Sequence, residues 1–118
     1  MPDVQRGDVV ICVLPKAYGK ARPALIVQAN GYLGDGPPDS VTVCPMRSYT
    51  GEVPKYRVGL NPAEYEVATG DRIEAQVMVD KVNIIPTGKI RYRVGRMPAR
   101  TLDQVDRALC EFLDLPCI

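Results

Sequence analysis

Residues 22–48 read RPALIVQANGYLGDGPPDSVTVCPMRS, and this stretch decides the fold. Arg22 to Ala29 and Ser40 to Met46 are two short runs of apolar and β-branched residues. Between them, Asn30 to Asp39 packs three glycines and two prolines into ten residues. Apolar runs of this length, bounded by turn residues, read as strands. Pro23 is tolerated only near the first residue of a strand or on an edge. The connection is either a functional arm or simply mobile.

The same punctuation continues on both sides. Asp8 to Leu14 (DVVICVL) is a β-branched run stopped by Pro15. Lys55 to Leu60, Arg72 to Val79, Asp80 to Ile85 and Ile90 to Val94 supply further strands, and Asn61-Pro62-Ala63-Glu64 can begin one helical turn. No segment before residue 98 carries a helical stripe. From Ala99 to Leu115 the apolar residues are Leu102, Val105, Ala108, Leu109, Phe112 and Leu113, one face of a helix opened by Pro98 and stopped by Pro116. The sum is an α+β, mostly β chain. It is a small antiparallel β-barrel or curled sheet closed against one C-terminal α-helix, with residues 1–118 as a single domain.

Composition removes several functions. Lys+Arg is 15 and Asp+Glu is 14, so nucleic acid can be held only by a local patch, not by bulk charge. Histidine is absent. That excludes a histidine base, a Ser-His or Cys-His nucleophile pair and a histidine metal ligand. Cys12, Cys44, Cys110 and Cys117 have no CxxC spacing, which argues against a zinc knuckle. No cofactor or metal site is expected. The polar start MPDVQRGDVV does not look like a signal peptide, and no apolar run approaches 18 residues. These features point to the cytoplasm and reduced thiols. Cys12 and Cys44 lie in apolar runs as small core residues, and Cys117 is expected to be exposed and inert.

The chemistry-bearing feature is a pair of strand ends. Arg22-Pro23 opens one strand, and Met46-Arg47-Ser48-Tyr49-Thr50 closes another, polar from Arg47 onward. If the two strands are neighbours, a guanidinium and hydroxyls meet at one rim of the barrel. The loop Lys16 to Ala21 offers Lys16, Tyr18 and Lys20, a lysine-tyrosine set able to touch phosphate and stack on a base, or simply a mobile polar loop. The stripe Lys89, Arg91, Arg93 and Arg96 reads as a solvated strand face.

RGDVV (6–10), KARPALIVQAN (20–30), VTVCPMRS (41–48), AQVMVDKV (75–82) and TLDQVDRALCEFLDL (101–115) stand in the order of the MazF/PemK-type toxins, which the chain resembles over nearly its whole length. The resemblance implies an SH3-like barrel, a homodimer and a type II toxin-antitoxin ribonuclease. Its activity would be metal-independent, sequence-selective cleavage of single-stranded RNA, leaving a 2′,3′-cyclic phosphate and a 5′-OH. Its partner would be a MazE-like antitoxin whose tail occupies the RNA groove. The resemblance makes Arg22 the catalytic arginine. The family's threonine position falls on Arg47, with Ser48 matching the serine that follows. Either Ser48 supplies the hydroxyl directly, or a one-residue slip near Pro45 brings it into the site; Thr50 is a weaker substitute. Arg47, Lys16, Tyr18, Lys20, Gln76 and Thr50 are the candidate RNA contacts, with Gln76 weighed against a buried hydrogen-bonding role. Two rival readings stand beside the ribonuclease: a CcdB-like gyrase poison without chemistry, and a catalytically weak RNA- or antitoxin-binding homologue.

Overall fold

The computed structural model describes residues 2–15 and 19–117. The strands are β1 (Asp8–Val13), β2 (Ala21–Ile26), β3 (Ser40–Ser48), β4 (Val58–Leu60), β5 (Ala75–Val77), β6 (Asn83–Pro86) and β7 (Ile90–Arg96). The helices are α1 (Pro62–Thr69) and α2 (Ala99–Phe112). All pairings are antiparallel, in the order β4-β5-β3-β2-β1-β7, with β6 also on β3. Strand β3 is the hub. Its first part pairs with β6, its middle with β2, and its end, Met46 to Ser48, with β5. The expected mostly-β barrel with a C-terminal helix is the fold observed.

Both faces of the central strands are buried. One carries Val9, Leu25, Cys44, Met46 and Val77 toward the helices, and the other carries Val10, Ala24, Ile26, Val43 and Ile85. Two-sided burial explains why these strands read as continuous apolar runs rather than as alternating ones. Helix α2 buries Val105 and partly buries Leu102, Ala108 and Leu109 against the first face. Two polar contacts anchor it: Arg6 to Asp106 at 2.6 Å, and the Thr101 hydroxyl donating to Glu64 at 2.7 Å.

Helix α1 is longer than the single turn expected. Its ends are written locally: an Asn61–Glu64 capping box, Pro62 in the first turn, and left-handed Gly70 (φ 89°) closing it. Eight residues with only Tyr65 and Ala68 buried give no readable stripe, so only its caps were visible in sequence. α1 packs against β7 at Gly95, where a Cβ would collide with the Ala68 carbonyl oxygen. The 55–60, 72–79 and 80–85 strands are shorter than expected. A turn at 54–57 replaces the start of the first, and a 3-10 turn at Val79–Lys81 breaks the others. That turn presents Asp80 to Arg57 in a two-pronged pair at 2.7 and 3.0 Å, with both side chains only about one-sixth exposed.

Cys12 and Cys44 are buried in the core as expected, and burial pushes their thiols up to about 11 and about 12. Cys110 and Cys117 depart from the reduced, inert reading. They form a disulfide with Cα atoms 5.8 Å apart, which ties the last residues back to the end of α2.

Two predictions follow from this packing. Gly95→Ala must push α1 off β7, and we expect a loss of about 1–3 kcal/mol in a denaturant titration. Arg57 hydrogen-bonds Asp80 and holds its carboxyl below the usual carboxylate range. The stability so gained is complete above the unfolded carboxylate pKa of about 4 and is lost as pH falls through the lower folded value. Asp80→Asn should therefore destabilise the protein at pH 7 by about 3 kcal/mol, since it leaves a buried guanidinium without its partner, and should flatten the acid limb of the stability-pH curve.

Candidate functional site

The site begins where two strands part. β2 and β3 pair at Ile26–Val43, Leu25–Cys44 and Ala24–Pro45, and there the ladder stops. Neither Pro23 nor Pro45 has an N–H to donate to a ladder. Beyond that point β3 turns to β5, pairing Met46–Val77, Arg47–Gln76 and Ser48–Ala75. No register shift interrupts β3 at Pro45, so the one-residue slip considered from sequence is absent. Ser48 reaches its place by direct strand continuation.

The divergence leaves an open cleft of about 510 Å³, with Arg22 and Pro23 on one wall and Pro45, Arg47 and Ser48 on the other. Tyr65 of α1 forms part of the lining, and burial raises its phenol above its usual range, so it remains a neutral group at physiological pH. Arg22 and Arg47 are both exposed, and among the described residues neither has an ion-pair or hydrogen-bond partner. Two unneutralised guanidiniums and a hydroxyl around one concave surface form a site suited to an anion with several oxygens.

The remaining candidates separate. Thr50 lies outside this cleft but shares a second one with Ser48. Lys20 is exposed just before β2 and does not line the cleft. Lys16 and Tyr18 fall outside the described residues. Gln76 is fully buried beside Arg47 on β5, away from the cleft lining, and neither of its amide atoms has a hydrogen-bond partner among the described residues. Tyr65 was not found from sequence, because it reaches the cleft through the packing of α1. In the basic stripe, Arg93 and Arg96 are recruited to Asp8, at 3.2 and 3.1 Å, so they serve a buried carboxylate. The 30–39 arm is pinned at its base by Gln28, whose amide donates to the Tyr32 and Ser40 carbonyls and accepts from the Thr42 N–H. Among the described residues no cluster of three or more metal-ligating side chains occurs, and no helix is long and apolar enough to cross a membrane.

Three comparisons bear on this geometry. The family described as PemK-like, MazF-like toxin of type II toxin-antitoxin system matches residues 5–113. A probable endoribonuclease MazF of Mycolicibacterium smegmatis is 34% identical over 113 residues, covering 95% of this chain and 98% of that protein. Among solved structures, a mycobacterial endoribonuclease in complex with its cognate antitoxin superposes with a TM-score of 0.75 at 21% identity, covering 98% of this chain and 100% of that one. A MazE-MazF complex from Deinococcus radiodurans gives a TM-score of 0.72 at 24% identity, covering 95% and 97%. At these identities the structural likenesses establish the fold alone.

Among the described residues the side chains of Arg22 and Arg47 make no hydrogen bond or ion pair. Replacing each with alanine should leave the unfolding free energy within about 0.5 kcal/mol of the parent. A larger loss in chemical denaturation would mean they serve the fold rather than a ligand.

Proposed function

This chain belongs to the PemK-like, MazF-like toxins of type II toxin-antitoxin systems, and we propose that it acts as their endoribonuclease through the cleft between β2 and β3. The observation that carries the reading is that Arg22, Ser48 and a second cation, Arg47, line one cleft, with neither arginine paired among the described residues. The substrate is single-stranded RNA, whose backbone can enter an open surface cleft without a duplex partner in the way.

RNA carries its own nucleophile. The ribose 2′-OH attacks the adjacent phosphorus and gives up its proton to solvent, the bond to the 5′-oxygen breaks and that oxygen takes up a proton, and the products are a 2′,3′-cyclic phosphate and a 5′-OH. What the protein must supply is an in-line geometry and stabilisation of charge on the phosphorane oxygens. Arg22 meets the second need. Its fork binds two oxygens, and its pKa, above ~12, makes it a poor base but a fixed source of positive charge and a donor toward the leaving oxygen. Ser48 hydrogen-bonds the 2′-OH or a phosphate oxygen and fixes the attacking group. Arg47, in the family's threonine position, adds a second phosphate contact. The side chains that line the cleft thus offer positioning and charge, and the reaction requires no metal.

Lys16, Tyr18, Lys20 and Thr50 are proposed to follow the RNA away from the scissile phosphate. Contact between Gln76 and RNA requires the side chains that bury it to move aside. The toxin acts in the cytoplasm, the residue 1–118 chain works as one domain, and a MazE-like antitoxin blocks the same cleft. A second copy of the chain covers the end of α2, where Phe112, Leu113 and Leu115 stand 46%, 48% and 51% exposed.

Cleavage of a mixed-sequence RNA with EDTA present tests the reading. Arg22→Ala should lose about 10²–10³-fold in rate, the usual loss for one preorganised donor to a developing oxyanion. Ser48→Ala should be impaired in the same assay. RNA with a 2′-deoxy residue at the cut site should survive intact, because the nucleophile is gone. Parent-like cutting by Arg22→Ala, or cutting at the deoxy position, would remove this mechanism.

A further inference from the structure

A second cleft, of about 730 Å³, adjoins the first and shares Ser48 and Ile73 with it. Its own walls are Tyr49, Thr50, Pro62, Arg72 and Glu74. These residues come from three places: the segment just past β3, the first helical turn of α1, and the irregular approach to β5. One backbone hydrogen bond, from Tyr49 N–H to the Glu74 carbonyl at 3.1 Å, fixes the floor between them. The proposed function places only Ser48 and Thr50 of this region on the RNA.

Its chemistry differs from that of the first cleft. Among the described residues the first cleft is lined by two guanidiniums without partners and by no carboxylate. In the second, the one guanidinium, Arg72, is already paired with Glu66 at 3.1 Å. The Glu74 carboxylate is exposed and has no hydrogen-bond or ion-pair partner among the described residues. An unpaired carboxylate repels a phosphate and accepts hydrogen bonds from a donor. The same lining holds Ile73, 41% exposed, and the half-buried aromatic Tyr49, whose hydroxyl donates to the Glu52 carbonyl at 2.9 Å. A flat face for stacking and an acceptor at its edge are the requirements of a nucleobase, not of a backbone.

We propose that this second cleft is a base-specificity subsite, resting on the ribonuclease reading above. It takes the base of a nucleotide flanking the scissile phosphate, and Glu74 selects guanine. Guanine sets two donors, N1–H and N2–H₂, side by side on its Watson–Crick edge, matching the two oxygens of a carboxylate. Cytosine and adenine offer a single amino group with a ring acceptor next to it. Uracil is disfavoured, because its one donor lies between two carbonyl oxygens that a carboxylate repels. Continuity through Ser48 and Ile73 lets the base enter here while its phosphate stays with Arg22 and Arg47.

The experiment maps cut sites of the parent protein, Glu74→Gln and Arg22→Ala in one long mixed-sequence RNA, with melting curves for all three. The parent should show guanine enriched at one position next to the cut. Glu74→Gln keeps the shape but loses the charge. It should slow cutting at guanine-containing sites by at least 10-fold, the scale of one good bidentate base contact. Sites with other bases at that position should be much less affected, so the preference relaxes. Arg22→Ala should slow all sites alike. If the parent cuts RNA but Glu74→Gln retains the parent's base profile, or slows every site equally, the subsite assignment is overturned and the ribonuclease reading stands. A parent cut pattern with no guanine preference at a flanking position overturns it as well. If the parent does not cut RNA at all, the ribonuclease reading fails first.

Discussion

Two prolines set the geometry on which the rest depends. A β-ladder propagates as long as each strand can exchange N–H and C=O groups with its neighbour. Pro23 and Pro45 lie at the point where β2 and β3 stop doing so, and neither brings a donor. The end of β3 is therefore free to pair with β5, while the start of β2 remains with β1 through Cys12–Arg22 and Ile11–Pro23. A cleft opens between two rigid strands rather than between loops. Side chains on strands are held more precisely than side chains on loops, which suits a reaction that needs alignment.

The placement of charge follows the same logic. Several cations elsewhere on the molecule have acidic partners: Arg6 with Asp106, Arg57 with Asp80, and Arg93 and Arg96 with Asp8. Arg22 and Arg47 have none among the described residues. With a formal net charge of only +1, the chain attracts RNA weakly at long range. Attraction this weak at long range leaves local groups of cations, such as Arg22 and Arg47 at the β2–β3 cleft, to hold a polyanion.

Sequence reading reached the strand ends because their signals are local. An arginine before a proline at the start of one apolar run, and a switch from apolar to polar at Arg47 in another, need no knowledge of distant contacts. It missed Tyr65, because that side chain arrives at the cleft through α1, an eight-residue helix with no readable stripe. It overextended the strands around residues 55–60 and 72–85, because the turns that seat Arg57 against Asp80 contain no glycine and, in 79–81, no proline to mark them. The Cys110–Cys117 bond was likewise out of reach: a spacing of seven residues specifies a disulfide only when the end of a helix brings the thiols together.

The sequence by itself determined the mostly-β class, the C-terminal helix and the absence of histidine chemistry, because apolar periodicity, turn residues and composition are properties of the chain alone; its resemblance to the MazF/PemK-type toxins singled out Arg22 and Ser48 as candidates. Only the tertiary structure decided that Arg22 and Ser48 face one cleft, that β3 continues through Pro45 without a slip, that Gln76 is buried beside Arg47, and that a second cleft adjoins the first. Those facts depend on which strands pair and where their ladders stop. They arise from contacts between residues far apart in the chain, which no local pattern encodes.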